Sequence, residues 1–158
     1  MRSLLLGCAL LFSTVAHADT PAPPTPAAYG APISLAEARI LVDRAIEQSK
    51  ARGFKLAIAV VEPSGVLVAF ARMEDVPYGS IDLAQKKART SALYRMTTAE
   101  AEARVQGGRT ALLSADGFVA IGGGVPIVSN GRVIGALGVS GAKSSEDADL
   151  AAAVVAGK

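Results

Sequence analysis

The stretch from Arg72 to Thr90 is the most chemically loaded part of the chain, holding Arg72, Met73, Glu74, Asp75, Tyr78, Ser80, Asp82, Lys86, Lys87, Arg89 and Thr90. Guanidinium and ammonium groups in such a run suit a carboxylate or another anion, with arginine able to grip it at two points. Carboxylates and lysine also serve as acid and base where their surroundings shift their pKa values, so proton transfer needs no histidine. Tyr78 and Met73, with Tyr29, Tyr94 and Met96, offer the phenol and thioether groups that iron accepts as ligands. Each of these residues also has a plain structural reading. Asp82 and Lys86 stand at i and i+4 in the favourable order, which describes a solvated ion pair on a helix face. Ser80 fits a helix N-cap, and a tyrosine or methionine is more often packed in a core than bound to a metal. The acids at Glu74-Asp75 and at Glu146, Asp147 and Asp149 suit helix N-termini.

The glycine-rich segments do not encode a nucleotide site. In Gly138-Val139-Ser140-Gly141-Ala142-Lys143-Ser144, Ala142 stands where a phosphate-binding loop needs its second glycine. Gly122-Gly123-Gly124 lacks the third glycine of a dinucleotide fingerprint and leads into strand-like sequence. These glycines permit tight turns and close backbone approach. Two anion sites remain open on this reading. The N–H groups of Gly123 and Gly124, with Lys86, would cradle a carboxylate while Asp82 or Asp75 moves a proton, and residues 141–145 precede a helix N-terminus.

The elements that must position these residues are legible from spacing. With 158 residues, the chain has the length of one domain. Arg2, the apolar run Leu4 to Val15 and the small-x-small pattern Ala16-His17-Ala18 read as an export signal over residues 1–18. This run is too short to cross a bilayer stably. Leu5-Leu6-Gly7-Cys8 resembles a lipoprotein acylation site only loosely. The single Cys8 and single His17 both fall in this leader, so the remaining chain contains no Cys and no His. Zinc sites of the Cys/His type, Ser-His-Asp and Cys-His nucleophiles and His-held haem are thereby excluded from it. Arg2 leaves with the leader, lowering the net charge from +2 to +1, which argues against a nucleic-acid partner. Periplasmic or secreted localisation, with no stable membrane insertion, follows from cleavage.

Residues 19–33 carry four prolines in the run Pro21 to Pro26 and read as a solvated spacer. The folded domain is expected over 34–158. Ser34-Leu35-Ala36-Glu37 is a capping box that opens a helix ending at Gly53. Lys55 to Glu62 and Val66 to Arg72, separated by Pro63-Ser64-Gly65, predict a hairpin. Ser80 caps a helix from Ile81 to about Met96, and Thr97 caps a short helix ending before Gly107. Strands follow at Phe118 to Gly122 and Val125 to Ser129, and Asn130-Gly131 predicts a type I′ turn into a strand from Arg132 to Ser140. Ser144 and Asp147, at cap and N3 spacing, precede a final helix ending at Gly157. Hairpins alternating with amphipathic helices describe an α+β domain, a central antiparallel sheet packed with helices.

Four segments together resemble the GlcG/HbpS family, which is related to the C-terminal domain of PduO-type proteins. They are Arg72-Met73-Glu74-Asp75, Ser80-Ile81-Asp82-Leu83-Ala84-Gln85-Lys86-Lys87-Ala88-Arg89-Thr90, Gly123-Gly124-Val125-Pro126-Ile127 and Gly135-Ala136-Leu137-Gly138-Val139-Ser140-Gly141. The resemblance spans about residues 34–157 and implies an α+β domain that assembles into homo-oligomers. Some family members bind haem outside the cytoplasm, so a haem or related tetrapyrrole is the expected ligand. Arg72, Lys86, Lys87 and Arg89 would face its propionates. The expected ligand-binding set is Arg72, Met73, Asp75, Tyr78, Ser80, Asp82, Lys86, Thr90, Gly123 and Gly124. Without histidine, an oxygen or thioether must hold the iron, or apolar and ionic contacts alone must hold the macrocycle. A histidine-free enzyme or binder for a small carboxylate, and a purely structural or chaperone-like oligomer, are the alternatives.

Overall fold

A computed structural model describes residues 25–157. The leader over 1–18, with Cys8 and His17, lies outside them. Helix α1 spans Leu35–Ala51, and its capping box is formed as expected: Ser34 Oγ accepts from the Glu37 N–H, and Glu37 Oε2 accepts from the Ser34 N–H. Strands β1 (Ala57–Val61) and β2 (Leu67–Arg72), helices α2 (Tyr78–Tyr94) and α3 (Thr98–Gln106), strands β3 (Gly124–Ser129) and β4 (Arg132–Ser140) and helix α4 (Ser144–Val155) complete the order. The four strands form one antiparallel sheet in the order β2-β1-β4-β3. Asn130 and Gly131 take φ values of 49° and 72°, the two positive angles that a type I′ turn requires.

The sheet has two unlike faces because its central strands alternate large and small residues. Ile58 and Val60 of β1 pair with Val139 and Leu137 of β4, and this face packs on Ala38, Val42 and Ala45 of α1 and on Leu150, Ala151 and Val154 of α4. The opposite face carries Ala57, Ala59, Val61 and Ala136, and α2 lies on it through Ala84, Ala88 and Ala92. Alanine against alanine lets the helix backbone come close. Gly138 and Gly124 bring it closer still: a Cβ at Gly138 would stand 2.1 Å from the Ala84 carbonyl oxygen, and one at Gly124 would stand 2.4 Å from that of Lys87.

Four local expectations are corrected. Helix α2 starts at Tyr78, with Pro77 as its N-cap at φ −56°, so Ser80 is not the cap. Ser80 is instead buried in the first turn, its N–H donating to the Pro77 carbonyl at 2.9 Å. Residues 118–122 form no strand because side chains satisfy their backbone: Thr90 Oγ1 accepts from the Val119 N–H, and Glu102 Oε2 from the Gly122 N–H. Ser144 does not cap α4, whose N-cap is Lys143 with Glu146 at N3, and Asp147, expected at N3, turns into the interior. Residues 28–33, expected as spacer, run beside β4 past the end of β1. The Val133 N–H donates to Ala28 O, the Gly30 N–H to Val133 O and the Ile33 N–H to Ile134 O. A 3₁₀ turn over Thr110–Ser114 has no counterpart among the sequence expectations.

Candidate functional site

Helix α2 carries half of the expected ligand-binding set, and its faces divide its side chains by role. The inward face takes Lys87, which is 1% exposed. Its ammonium donates to Asp147 Oδ2 at 2.8 Å and to the Val139 carbonyl at 3.1 Å. Asp147 Oδ1 accepts from the Ala142 N–H at 3.1 Å, so both carboxylate oxygens are used. Burial, the largest influence, pushes the Asp147 carboxyl above its ordinary value, against the lowering effects of Lys87 and the neighbouring backbone N–H groups. This pair ties α2 to α4 past the open end of the sheet. The sequence reading placed Lys87 among anion-binding side chains and missed this role. The signal was its spacing, since positions 84, 87, 88 and 91 fall on one helical stripe, and the other three are Ala84, Ala88 and Ser91.

Several expected ligand residues are committed to the fold. Thr90 is buried and binds the 117–119 loop through the Val119 N–H at 3.0 Å. Met73 is buried, and its sulfur accepts from the Leu56 N–H at 3.5 Å. The Gly124 N–H donates to Thr98 Oγ1 at 2.7 Å, and Gly123 accepts at its carbonyl from the Val139 N–H at 2.9 Å. Lys86 pairs with Asp82 at 2.6 Å on the exposed side of α2. The glycine backbone and Lys86 are therefore not brought together, and the proposed carboxylate cradle between them does not form.

Three surface clefts hold the remaining chemistry. One of about 530 Å³ at the start of α2 is lined by Arg72, Glu74, Asp75, Val76, Pro77 and Tyr78. Tyr78 is 83% exposed there, and Asp75 takes a left-handed φ of 62°. A second, of about 290 Å³, lies between the other side of α2 and the β1–β2 hairpin, where Asp82, Gln85, Lys86 and Arg89 meet Val61, Gly65 and Leu67. A third, of about 450 Å³, lies at the end of α2 and is lined by Thr25, Pro26, Tyr94, Arg95, Met96, Glu100 and Arg104. The expected set thus divides: Arg72, Asp75 and Tyr78 share one cleft, Asp82 and Lys86 another, and Met73, Ser80, Thr90, Gly123 and Gly124 are structural. Neither Tyr94 nor Met96 belonged to the expected binding set, though both were noted as possible iron ligands.

The third cleft is held in place from several sides. The Tyr94 ring meets Phe118 edge-on at 4.8 Å. Ser91 Oγ donates to the Met96 carbonyl at 2.6 Å. Arg95 ends α2 in a left-handed conformation, φ 52°, with its guanidinium 5.0 Å from the Tyr29 ring centre and donating to the Ala27 carbonyl. The Tyr29 hydroxyl in turn donates to the Leu93 carbonyl at 2.8 Å. Arg104 pairs with Glu100 at 2.7 Å, both side chains being nearly half exposed. Among the described residues no group of three or more His, Cys, Asp or Glu side chains is arranged to hold a metal ion. No described helix is long and apolar enough to cross a membrane.

The chain and its fold are similar to known proteins. A family model described as "Haem degrading protein HbpS-like" covers residues 33–156. Protein GlcG of Escherichia coli (strain K12) is 40% identical over 94 residues, 60% of this chain and 70% of GlcG. The crystal structure of a PduOC–haem complex superposes with a TM-score of 0.72 at 28% identity, covering 80% of this chain and 95% of that one. A double mutant of Streptomyces reticuli HbpS superposes with a TM-score of 0.74 at 25% identity, covering 89% and 97%.

Proposed function

Because the chain belongs to the HbpS-like family, we propose that it binds haem or a related tetrapyrrole, and does so as an exported, self-associating protein. The observation that carries this reading is the likeness to the PduOC–haem complex, which extends over four-fifths of the chain. The side chains present suit such a ligand. Arginines line all three clefts, Arg72 the first, Arg89 the second and Arg95 with Arg104 the third, and a guanidinium can grip a propionate at two points. Tyrosine oxygens and the Met96 thioether are iron ligands of the kind the sequence retains once Cys8 and His17 are set aside. Haem, when bound, supplies a redox-active iron. The chain's own part is to bind the acid groups, flank the ring with apolar surface and present one ligand atom.

Titration of the protein with haemin is expected to give a saturable Soret shift with a defined stoichiometry. A spectrum that stays that of free haemin would remove the reading. Export rests on the pattern of residues 1–18 and predicts that protein recovered from the periplasm or medium begins at Asp19, which intact-mass measurement checks.

A further inference from the structure

We infer that the ligand of the proposed function seats in the cleft at the C-terminal end of α2, with Met96 toward the iron and Arg95 and Arg104 toward the propionates, rather than in the Arg72–Tyr78 cleft. The inference rests on the haem reading and specifies its site. Charge separates the two clefts. A haem carries two propionates, and the cleft at the start of α2 sets one guanidinium, Arg72, against two carboxylates, Glu74 and Asp75. The cleft at the end of α2 sets two guanidiniums against one carboxylate, Glu100. The excess is of opposite sign, and like charge at contact costs what opposite charge gains. The third candidate, around Lys86, is only about 290 Å³, at the lower edge of the roughly 300–1,000 Å³ typical of small-molecule sites.

Chemistry points the same way. The phenol free for iron at the first cleft is Tyr78, which at 83% exposure leaves a ring bound there open to water. At the end of α2, Tyr94, Met96 and Pro26 provide apolar flanks, and the Met96 main chain is pinned by Ser91. The Arg104–Glu100 pair is solvated, so exchanging Glu100 for a propionate sacrifices little.

The test is haemin titration of the full-length wild type and of Met96→Leu, Arg104→Ala, Arg72→Ala and Tyr78→Phe, repeated with metal-free protoporphyrin IX. Arg104→Ala should weaken both ligands by about tenfold or more. Met96→Leu keeps the side-chain volume, so it should alter the haemin Soret position and weaken haemin while leaving the metal-free porphyrin unchanged. Arg72→Ala and Tyr78→Phe should stay within about twofold for both ligands. The reverse pattern, with losses at Arg72 and Tyr78 only, overturns this site while the haem reading stands. Equal binding by all variants also overturns it. Absence of any Soret shift in the wild type overturns the haem reading itself.

Discussion

Lys87 gives up its hydration for one carboxylate and one carbonyl, and Asp147 does the same for one ammonium and one N–H. Removing a single partner strands the other charge in the interior, so Lys87→Met or Asp147→Asn should each lower stability by about 3–5 kcal/mol. The double variant should recover part of that loss, and urea unfolding of the three proteins measures it. The pair also sets a pH trend. Burial raises the Asp147 carboxyl above the unfolded value of 3.8, so the folded state holds this proton longer than the unfolded chain does. Its contribution is full below the unfolded value and is lost as pH rises through the raised folded value. The Asp147→Asn variant should therefore lack one component of falling stability on the alkaline side of the ordinary carboxylate range, read as the difference in slope of unfolding free energy against pH. At this scale the sequence showed which side chains could act and concealed which would be spent on folding. Met73 and Thr90 have the right chemistry for a ligand, yet partners distant in sequence, Leu56 and Val119, claim them.

Helix α2 sits on the sheet only because small residues clear its path. Gly138→Ala would drive a methyl to 2.1 Å from the Ala84 carbonyl, so the helix must lift. Overpacking of this kind typically costs about 1–3 kcal/mol, and the clash with two backbone atoms of α2, Ala84 O and Ala88 N, places this site at or above the upper end. Gly79→Ala is the matched control, since nothing lies within 4 Å of a Cβ there and the residue is helical. It should be neutral or stabilise by up to about 1 kcal/mol. Thermal unfolding of the two variants should move in opposite directions. Elements defined by local signals were readable from sequence: the Ser34 capping box, the Thr97 cap of α3 and the Asn130-Gly131 turn all form where spacing puts them. The strand expected over 118–122 fails for a non-local reason. Thr90 and Glu102, from two separate helices, satisfy its backbone before a neighbouring strand can.

Across the whole molecule, the proposed self-association draws on an exposed aliphatic patch where α1 lies beside β3 and β4. Ile40 is 57% exposed beside Leu41, Ile127 and Ile134, and apolar surface of this kind commonly marks protein contact. Ile40→Asp should reduce the assembled mass seen by light scattering while leaving the melting temperature within a few degrees, because surface changes cost about 0.5 kcal/mol or less. The fold class was plain from the alternation of hairpins and helices, whereas the clefts were not. They arise where segments far apart in the chain meet, and the one at the end of α2 needs residues 25–26 beside Tyr94 and Arg104. Tyr29→Phe removes the hydroxyl that ties residues 28–33 to the last turn of α2, at a cost of about 1 kcal/mol, and should loosen that cleft before it loosens the sheet. Timing follows from the same strip. Residues 28–33 are made well before their partners on β4, so their native hydrogen bonds cannot form until Val133 and Ile134 have been added. A chain interrupted before Val133 has no place to fasten them.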